Sequence, residues 1–545
     1  VSTNDHAAHG TWQTDGTDPV PAARYGPKPP VEGSGGLAVT SHPLATRAAR
    51  DILREGGNAV DAALAAAATQ LVVEPHMTSP TGGLSLLHRS AATGAATYVN
   101  GNVAAPLAPL PDFSGADLTR GRGVPVPGWW PAFEEARRRF GTRDRARLLA
   151  PALAAATDGF EVNPFLYGIA YGEQAHLGAS PQMREVFFAE GHLAVPGQVI
   201  TQPRAARTLE RLRDEGMDYY LGDFARAVAA AARADGGVLH ERDFAAYRAR
   251  VQEPVRGTYR GAGIVAAPPP DDGGVQLISA LNMLETVDLP RLGPPSADPE
   301  TLRLLIQAHN TAYYAPPLRY GLEEDRERLE LLLSKSYART RTALLEPVPP
   351  ASATPAPGTI HISVVDAAGD TVALTHSHMC SGFVNGLFAE GFQLSGGGSF
   401  FQRVMPQPGE RACVYLAPNL VLRDGNPVLV SGSPSVSLVA NVLQNLVNIL
   451  DFGMSIEDSV RAPRFGARPH TPERGWEPGN LLEAGFDEAV LREVRAWAGR
   501  ERLWTRVVNP WSALTGNFEG ITLDPDTGAA RACADPRRVG AAEAA

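Results

Sequence analysis

The stretch Pro357-Gly358-Thr359-Ile360-His361-Ile362-Ser363-Val364-Val365-Asp366 decides how the rest of the chain is read. Upstream of Thr359, residues 346–358 (Glu-Pro-Val-Pro-Pro-Ala-Ser-Ala-Thr-Pro-Ala-Pro-Gly) are punctuated by proline and nearly bare of large side chains, the composition of an exposed loop. From Thr359 the pattern changes at once. Ile360, Ile362 and Val364 alternate with Thr359, His361 and Ser363, which predicts a strand with two unlike faces starting at Thr359. If the Gly358–Thr359 bond is cut, Thr359 carries a hydroxyl and, on the same residue, an α-amine with an unperturbed pKa of about 7.7–8.0. Nucleophile and base then share one residue, a known variant of base-activated catalysis. Before the cut, the same hydroxyl can attack the Gly358 carbonyl to give an ester that water resolves. The glycine lets the backbone reach the geometry that such an N-to-O shift needs. The plainer reading is a proline-rich linker running into an ordinary strand, and these ten residues leave both open.

At 545 residues and 44% hydrophobic content, the chain can bury one large core or two smaller ones. A net charge of −10 without any basic block argues against nucleic acid or an anionic membrane surface and favours a small-molecule substrate. Three cysteines, Cys380, Cys413 and Cys533, are too few and too scattered for a disulfide framework. Val1 to Lys28 has no apolar core flanked by basic residues, and no run of eighteen apolar residues occurs, so no membrane association and a cytoplasmic location are expected.

Residues 1–34, polar and rich in Pro and Gly, read as an irregular extension. Leu37–Thr40 reads as a strand, followed by a helix over Leu44–Glu55 that Gly56-Gly57 stops. Asn58 can cap a second helix, Ala59–Val73, whose alanines lie almost all round and suit close packing. A strand over Leu84–His88 follows, and later helices over Gln202–Glu215 and Ala225–Ala234. Beyond Thr359, a second strand over Thr371–Ser377 pairs with the first as a hairpin across Ala367-Ala368-Gly369-Asp370.

Several motifs fall in one order: Ser41-His42-Pro43-Leu44-Ala45, Gly56-Gly57-Asn58-Ala59-Val60-Asp61-Ala62-Ala63, and Val73-Glu74-Pro75-His76. Gly123-Val124-Pro125-Val126-Pro127-Gly128, Pro268-Pro269-Pro270, Thr359–Asp366, Gly432-Ser433-Pro434 and Ala462-Pro463-Arg464-Phe465 continue it. Together they resemble the γ-glutamyltransferase (γ-glutamyltranspeptidase) family across most of residues 36–530. The resemblance implies an α+β, four-layer αββα sandwich of the N-terminal-nucleophile hydrolase type. It also implies self-cleavage at Gly358–Thr359 into a large subunit, residues 35–358, and a small one, residues 359–545, that pair with each other; a homo-oligomer is left open. Thr359 carries over as the nucleophile, and Ser377 falls where the family has a second threonine bonded to it. Ser435 and Val436 stand where the family has two glycines whose backbone N–H groups stabilise the oxyanion, at the start of a helix over about Val436–Ile449.

His376, His378 and Cys380 alternate, which would put three potential metal ligands on one strand face opposite Thr375, Ser377 and Met379. With no second ligand pair nearby and no need of metal in threonine chemistry, buried, hydrogen-bonded histidines are the better reading. Neither metal nor cofactor is expected, and Gly396-Gly397-Gly398 lacks the Lys-Ser/Thr pair of a phosphate loop.

The pattern departs from the family where a glutamyl head would be held. The family's arginine for the substrate α-carboxylate aligns with Asn102. Its acidic lid aligns with Ser395-Gly396-Gly397-Gly398-Ser399-Phe400-Phe401, and its paired serines with Val414 and Tyr415. Losing charge-assisted bonds of about 1.5–3 kcal/mol each would erase recognition of a zwitterionic head. The implied activity is therefore a self-processing threonine hydrolase that cleaves an amide or C–C acyl bond in a non-glutamyl metabolite, in specialised-metabolite (antibiotic) biosynthesis. Relatives of this kind include acylases, oxamate-type amidohydrolases and the C–C-cleaving homologues of lincosamide and pyrrolobenzodiazepine alkylproline pathways. The competing readings are a γ-glutamyl transferase or hydrolase of glutathione-type substrates with a reorganised pocket, and an uncleaved binding protein.

Overall fold

The structure is a computed structural model and describes residues 20–313, 321–343, 358–402, 404–468 and 479–545. The proline-rich loop expected over 346–358 therefore lies outside the described residues except for Gly358.

Two seven-stranded sheets face each other. The first runs, in hydrogen-bonded order, Ala541–Ala544, Gly36–Thr40, Ile360–Asp366, Thr371–Ser377, Gly83–Arg89, Ala96–Gly101 and Arg250–Gln252. The second runs Val31–Gly33, Ala530–Ala532, Glu519–Leu523, Asn426–Gly432, Asn419–Arg423, Ala262–Ala266 and Val255–Tyr259. Leu37, Val39, Leu87, Val265, Val365, Leu420, Val430 and Ile521 interdigitate between the sheets. The outer face of the first sheet, through Leu84, Leu86, Ile362, Val364, Val372 and Leu374, packs on Pro43–Arg54 and Ala59–Val73. The outer face of the second packs on Gly273–Leu284, Pro299–Tyr313 and Leu438–Leu450. The result is the four-layer αββα sandwich that the family resemblance implies.

Local sequence accounts for the elements nearest the site. Asn58 Oδ1 accepts the Asp61 N–H at 2.9 Å while Asp61 Oδ2 accepts the Asn58 N–H at 3.1 Å, a reciprocal cap that starts Ala59–Val73 where the residue types predict. Every residue of that helix is buried, which its apolar composition on all faces requires. The Thr359 strand begins one residue later than expected, at Ile360, and pairs in register Ile360 with His376 through Val365 with Thr371. Both of its faces are buried. Ile362 and Val364 meet the helices, whereas His361 and Ser363 meet the second sheet, where the Ser363 hydroxyl donates to the Glu519 carbonyl at 2.9 Å. The alternation in sequence thus marks two different interiors, not an interior and a solvent face.

Two expectations need correcting. Residues 1–19 lie outside the described residues, but the stretch expected to be irregular through residue 34 contains an edge strand, Val31–Gly33, paired with Ala530–Ala532. Lys28 anchors it by donating to the Asp535 and Arg538 carbonyls at 2.8 and 2.6 Å. The helix expected from Val436 starts at Leu438, because Ser435 has φ +86° and Val436 remains in the turn before the Ser437 cap.

Candidate functional site

Thr359 sits at the mouth of the hairpin with 1% of its surface exposed. Its Oγ1 lies 3.0 Å from Ser377 Oγ, on the facing strand. Ser377 Oγ also accepts the Met379 N–H at 2.7 Å and donates to the Gly358 carbonyl. A serine hydroxyl has one proton, so with that proton on Gly358 O the Thr359 hydroxyl is the donor to Ser377. The Gly358 N–H in turn donates to the Cys380 carbonyl. Gly358 is thus held at both its N–H and its carbonyl by the segment Ser377–Cys380.

Met379 has φ +62°, which breaks the strand after Ser377 and turns its N–H back onto the serine. The same break corrects the placement of His376, His378 and Cys380 along one strand face, since only His376 is in the strand. His376 Nδ1 accepts the Trp129 indole N–H at 3.1 Å and its Nε2 bonds Gln70 Oε1 at 2.8 Å, which fixes a neutral ring. Burial pulls it down to about 3. His378 Nε2 donates to the Pro75 carbonyl at 2.8 Å, and Cys380 Sγ accepts the Gly396 N–H at 3.2 Å, its thiol pushed up to about 12 by burial. Among the described residues no group of three His, Cys, Asp or Glu side chains could hold a metal ion.

Beneath Thr359 lies a charged centre that the sequence did not reveal. Arg538 Nη1 donates to the Thr359 carbonyl at 2.8 Å, and its guanidinium stands 4.8 Å from the Phe165 ring centroid. Glu74 and Glu519, both buried, lie within its electrostatic reach. Burial raises Glu74 to about 7 against the opposing pull of Arg538, although Ser41 and Gln70 donate to Glu74 Oε2 at 2.8 and 3.0 Å. An Asp-Pro-Arg-Arg run, residues 535–538, reads as solvated surface by composition, which is why Arg538 went unnoticed.

Gly432 packs against the His361 ring, two residues along from Thr359, so the turn Ser433–Val436 leaves the second sheet at the Thr359 end of the hairpin. Among the described residues neither the Ser435 nor the Val436 N–H has an acceptor, and no hydrogen bond ties them to Thr359 or Ser377. Ser435 occupies a left-handed conformation that glycine adopts without strain.

The remaining candidates are buried around Asp271 and Met379. Asn102 is fully buried, with its Nδ2 3.3 Å from Ser85 Oγ and donating to Asp271 Oδ1. Ser399 Oγ donates to the Met379 carbonyl at 2.7 Å, which seats the Gly397–Gln402 turn on the Ser377–Cys380 segment. Next to it, the Phe400 and Tyr415 rings pack at 5.5 Å and 55°. Met379, Phe400 and Tyr415 share one apolar cluster. Asp271 was also missed, although two acids directly after Pro268-Pro269-Pro270 were a signal for it. Among the described residues no helix is long and apolar enough to cross a membrane.

A family model for gamma-glutamyltranspeptidase matches residues 45–545. The acylase ACY 1 proenzyme of Pseudomonas sp. (strain SE83) is 32% identical, over 94% of this chain and 95% of its own length. The glutathione hydrolase proenzyme of Escherichia coli (strain K12) is 28% identical, over 96% of this chain and 94% of its own. The crystal structure of cephalosporin acylase from Bacillus halodurans superimposes with a TM-score of 0.82 at 24% identity, covering 97% of this chain and 99% of that one, a likeness of fold. Matched from Ala45 to Ala545, the chain belongs to the gamma-glutamyltranspeptidase family of N-terminal-nucleophile hydrolases and transferases.

Proposed function

We propose that the protein cuts itself at Gly358–Thr359 and then uses Thr359 to hydrolyse an acyl bond, amide or C–C, in a small non-glutamyl metabolite of a specialised biosynthetic pathway. The observation that carries this reading is the bonding of Ser377 Oγ to both Thr359 Oγ1 and Gly358 O. In self-cleavage, Thr359 Oγ1 attacks the Gly358 carbon as its proton passes toward Ser377, and the Ser377 O–H stabilises the oxyanion forming on Gly358 O. Collapse expels the Thr359 nitrogen, which takes up the proton, and leaves an ester at Thr359. Water cleaves the ester and separates residues 1–358 from 359–545.

In the mature enzyme the freed α-amine takes the proton from the Thr359 hydroxyl as it attacks the substrate acyl carbon. Ser377 remains beside the nucleophile, and the Ser435 and Val436 N–H groups receive the second oxyanion. Neutral Asn102, Phe400 and Tyr415 stand where the resemblance would put the groups that hold a glutamyl head, which favours a non-glutamyl acyl group over the glutathione-type alternative. The acylase relative, at 32% identity, supports the same choice.

The test couples intact-mass analysis of the purified protein with turnover of γ-glutamyl-p-nitroanilide. The reading requires two fragments with Thr359 at a new N-terminus and weak turnover. An active but uncut protein refutes the mechanism, and a low KM for the glutamyl anilide returns the glutathione-type reading. Metabolite comparison of cells with and without the protein then identifies the substrate.

A further inference from the structure

The amide of Asn102 has a fixed orientation. Asp271 is fully buried, and three donors converge on its carboxylate: the Tyr98 hydroxyl, Ser85 Oγ at 3.0 Å and the Asn102 amide nitrogen. An ionised carboxylate only accepts, so above about pH 7, where Asp271 loses its proton, Asn102 must turn Nδ2 toward Asp271 and Oδ1 away from it. That oxygen is buried and has no donor.

Its direction follows from Gly83. A Cβ on residue 83 would stand 2.9 Å from Asn102 Oδ1 and 2.8 Å from Met379 Cε. Gly83 pairs across the sheet with Ser377, so Asn102 Oδ1 and Met379 Cε pack over the Gly83 backbone on the face that carries the Ser377 side chain. The unpartnered oxygen therefore lies on the same sheet face as Ser377, beside the Met379 methyl. Asp271 also bridges to Val414, the residue before Tyr415, and so ties Asn102 to the segment that carries Tyr415.

We propose that Asp271 determines specificity by locking Asn102 so that its carbonyl oxygen faces the acyl site, which then selects acyl groups bearing a hydrogen-bond donor, such as a hydroxyl, amide N–H or protonated amine, over a carboxylate. Asp271 does not touch the substrate. It acts through Asn102 and adds a second negative feature behind it, which disfavours an acyl carboxylate further. This inference rests on the non-glutamyl reading of the site and names the chemistry that replaces the glutamyl head.

The test compares three p-nitroanilides on the processed enzyme well above pH 7: 4-hydroxybutyryl, its methyl isostere pentanoyl, and glutaryl. The expected kcat/KM for the hydroxybutyryl compound is about tenfold above each of the others, the value of one hydrogen bond left unmade. In Asp271→Asn the Asn102 amide is free to rotate, and the preference falls to about twofold or less, with the change in KM more than in kcat. Equal wild-type rates on the three, zero included, or a glutaryl preference overturn the proposal, as does an unchanged ratio in a folded Asp271→Asn. If that variant does not fold, the wild-type ratios decide alone. A γ-glutamyl anilide that outperforms all three instead refutes the non-glutamyl reading, so the two failures are distinct.

Discussion

Thr359 Oγ1 and Ser377 Oγ stand 3.0 Å apart across the first pair of strands after the proline-rich loop, with the Gly358 carbonyl bonded to the same serine. The hairpin register that pairs Ile360 with His376 creates this contact, and the Met379 N–H completes it. A hydroxyl that touches both the oxygen proposed to attack and the carbonyl it would attack suits bond cleavage better than strand pairing.

Self-cleavage should therefore yield residues 1–358 and 359–545, and Thr359→Ala should remain whole. Denaturing electrophoresis with N-terminal sequencing reads the outcome. An active wild-type protein with an intact Gly358–Thr359 bond is the contrary result.

Ser377→Ala should slow the cut by about a hundredfold or more, the usual cost of one oxyanion donor, whereas Ser377→Thr, which keeps the hydroxyl, should process at a rate closer to wild type. Cell-free synthesis followed by gel densitometry gives the time course. Equal rates for the alanine variant would remove Ser377 from the cleavage step.

Arg538→Met, made in the uncut Thr359→Ala background, should destabilise the protein by about 1–3 kcal/mol, since it leaves the buried Thr359 carbonyl without its donor. Urea unfolding of the two variants measures the difference. A loss of less than about 1 kcal/mol would mean that the Thr359 carbonyl finds another donor.

Asp271 carries a pH signature. Burial raises it to about 7, so the folded protein keeps the proton up to that pH while the unfolded chain releases it near the ordinary carboxyl value of 3.8. Its contribution to stability is thus present below about pH 4 and is lost as pH rises through 7. The melting temperature of wild type should fall relative to Asp271→Asn as pH rises through that window. Parallel melting curves across it would show that Asp271 is ionised in the fold throughout.

For specificity, Asn102→Arg alone should not restore turnover of γ-glutamyl-p-nitroanilide. An arginine there meets Asp271, and the neutral Ser395–Phe401 segment still offers nothing to the substrate ammonium. Steady-state kinetics of the variant decide it, and a gain of about a hundredfold in kcat/KM would show that the ammonium site is intact elsewhere.

Local pattern sufficed wherever a residue's own preference and its near neighbours set the structure. The Ala59–Val73 helix with its Asn58 cap, the strand after Thr359 and the hairpin ending at Ser377 follow from periodicity and turn residues. The two-layer sandwich between helices required the motif resemblance as well, because alternation alone does not say what covers each face. The contacts that make the site were decided by tertiary structure. Arg538 reaches Thr359 from 179 positions away, and Asp271 reaches Asn102 across 169. Both ions look like surface charges in the sequence, since burial of a charge is stabilised only by partners that the fold brings together. The backbone at Met379 and Ser435 likewise takes left-handed conformations that neither side chain prefers, and only the surrounding packing holds it there.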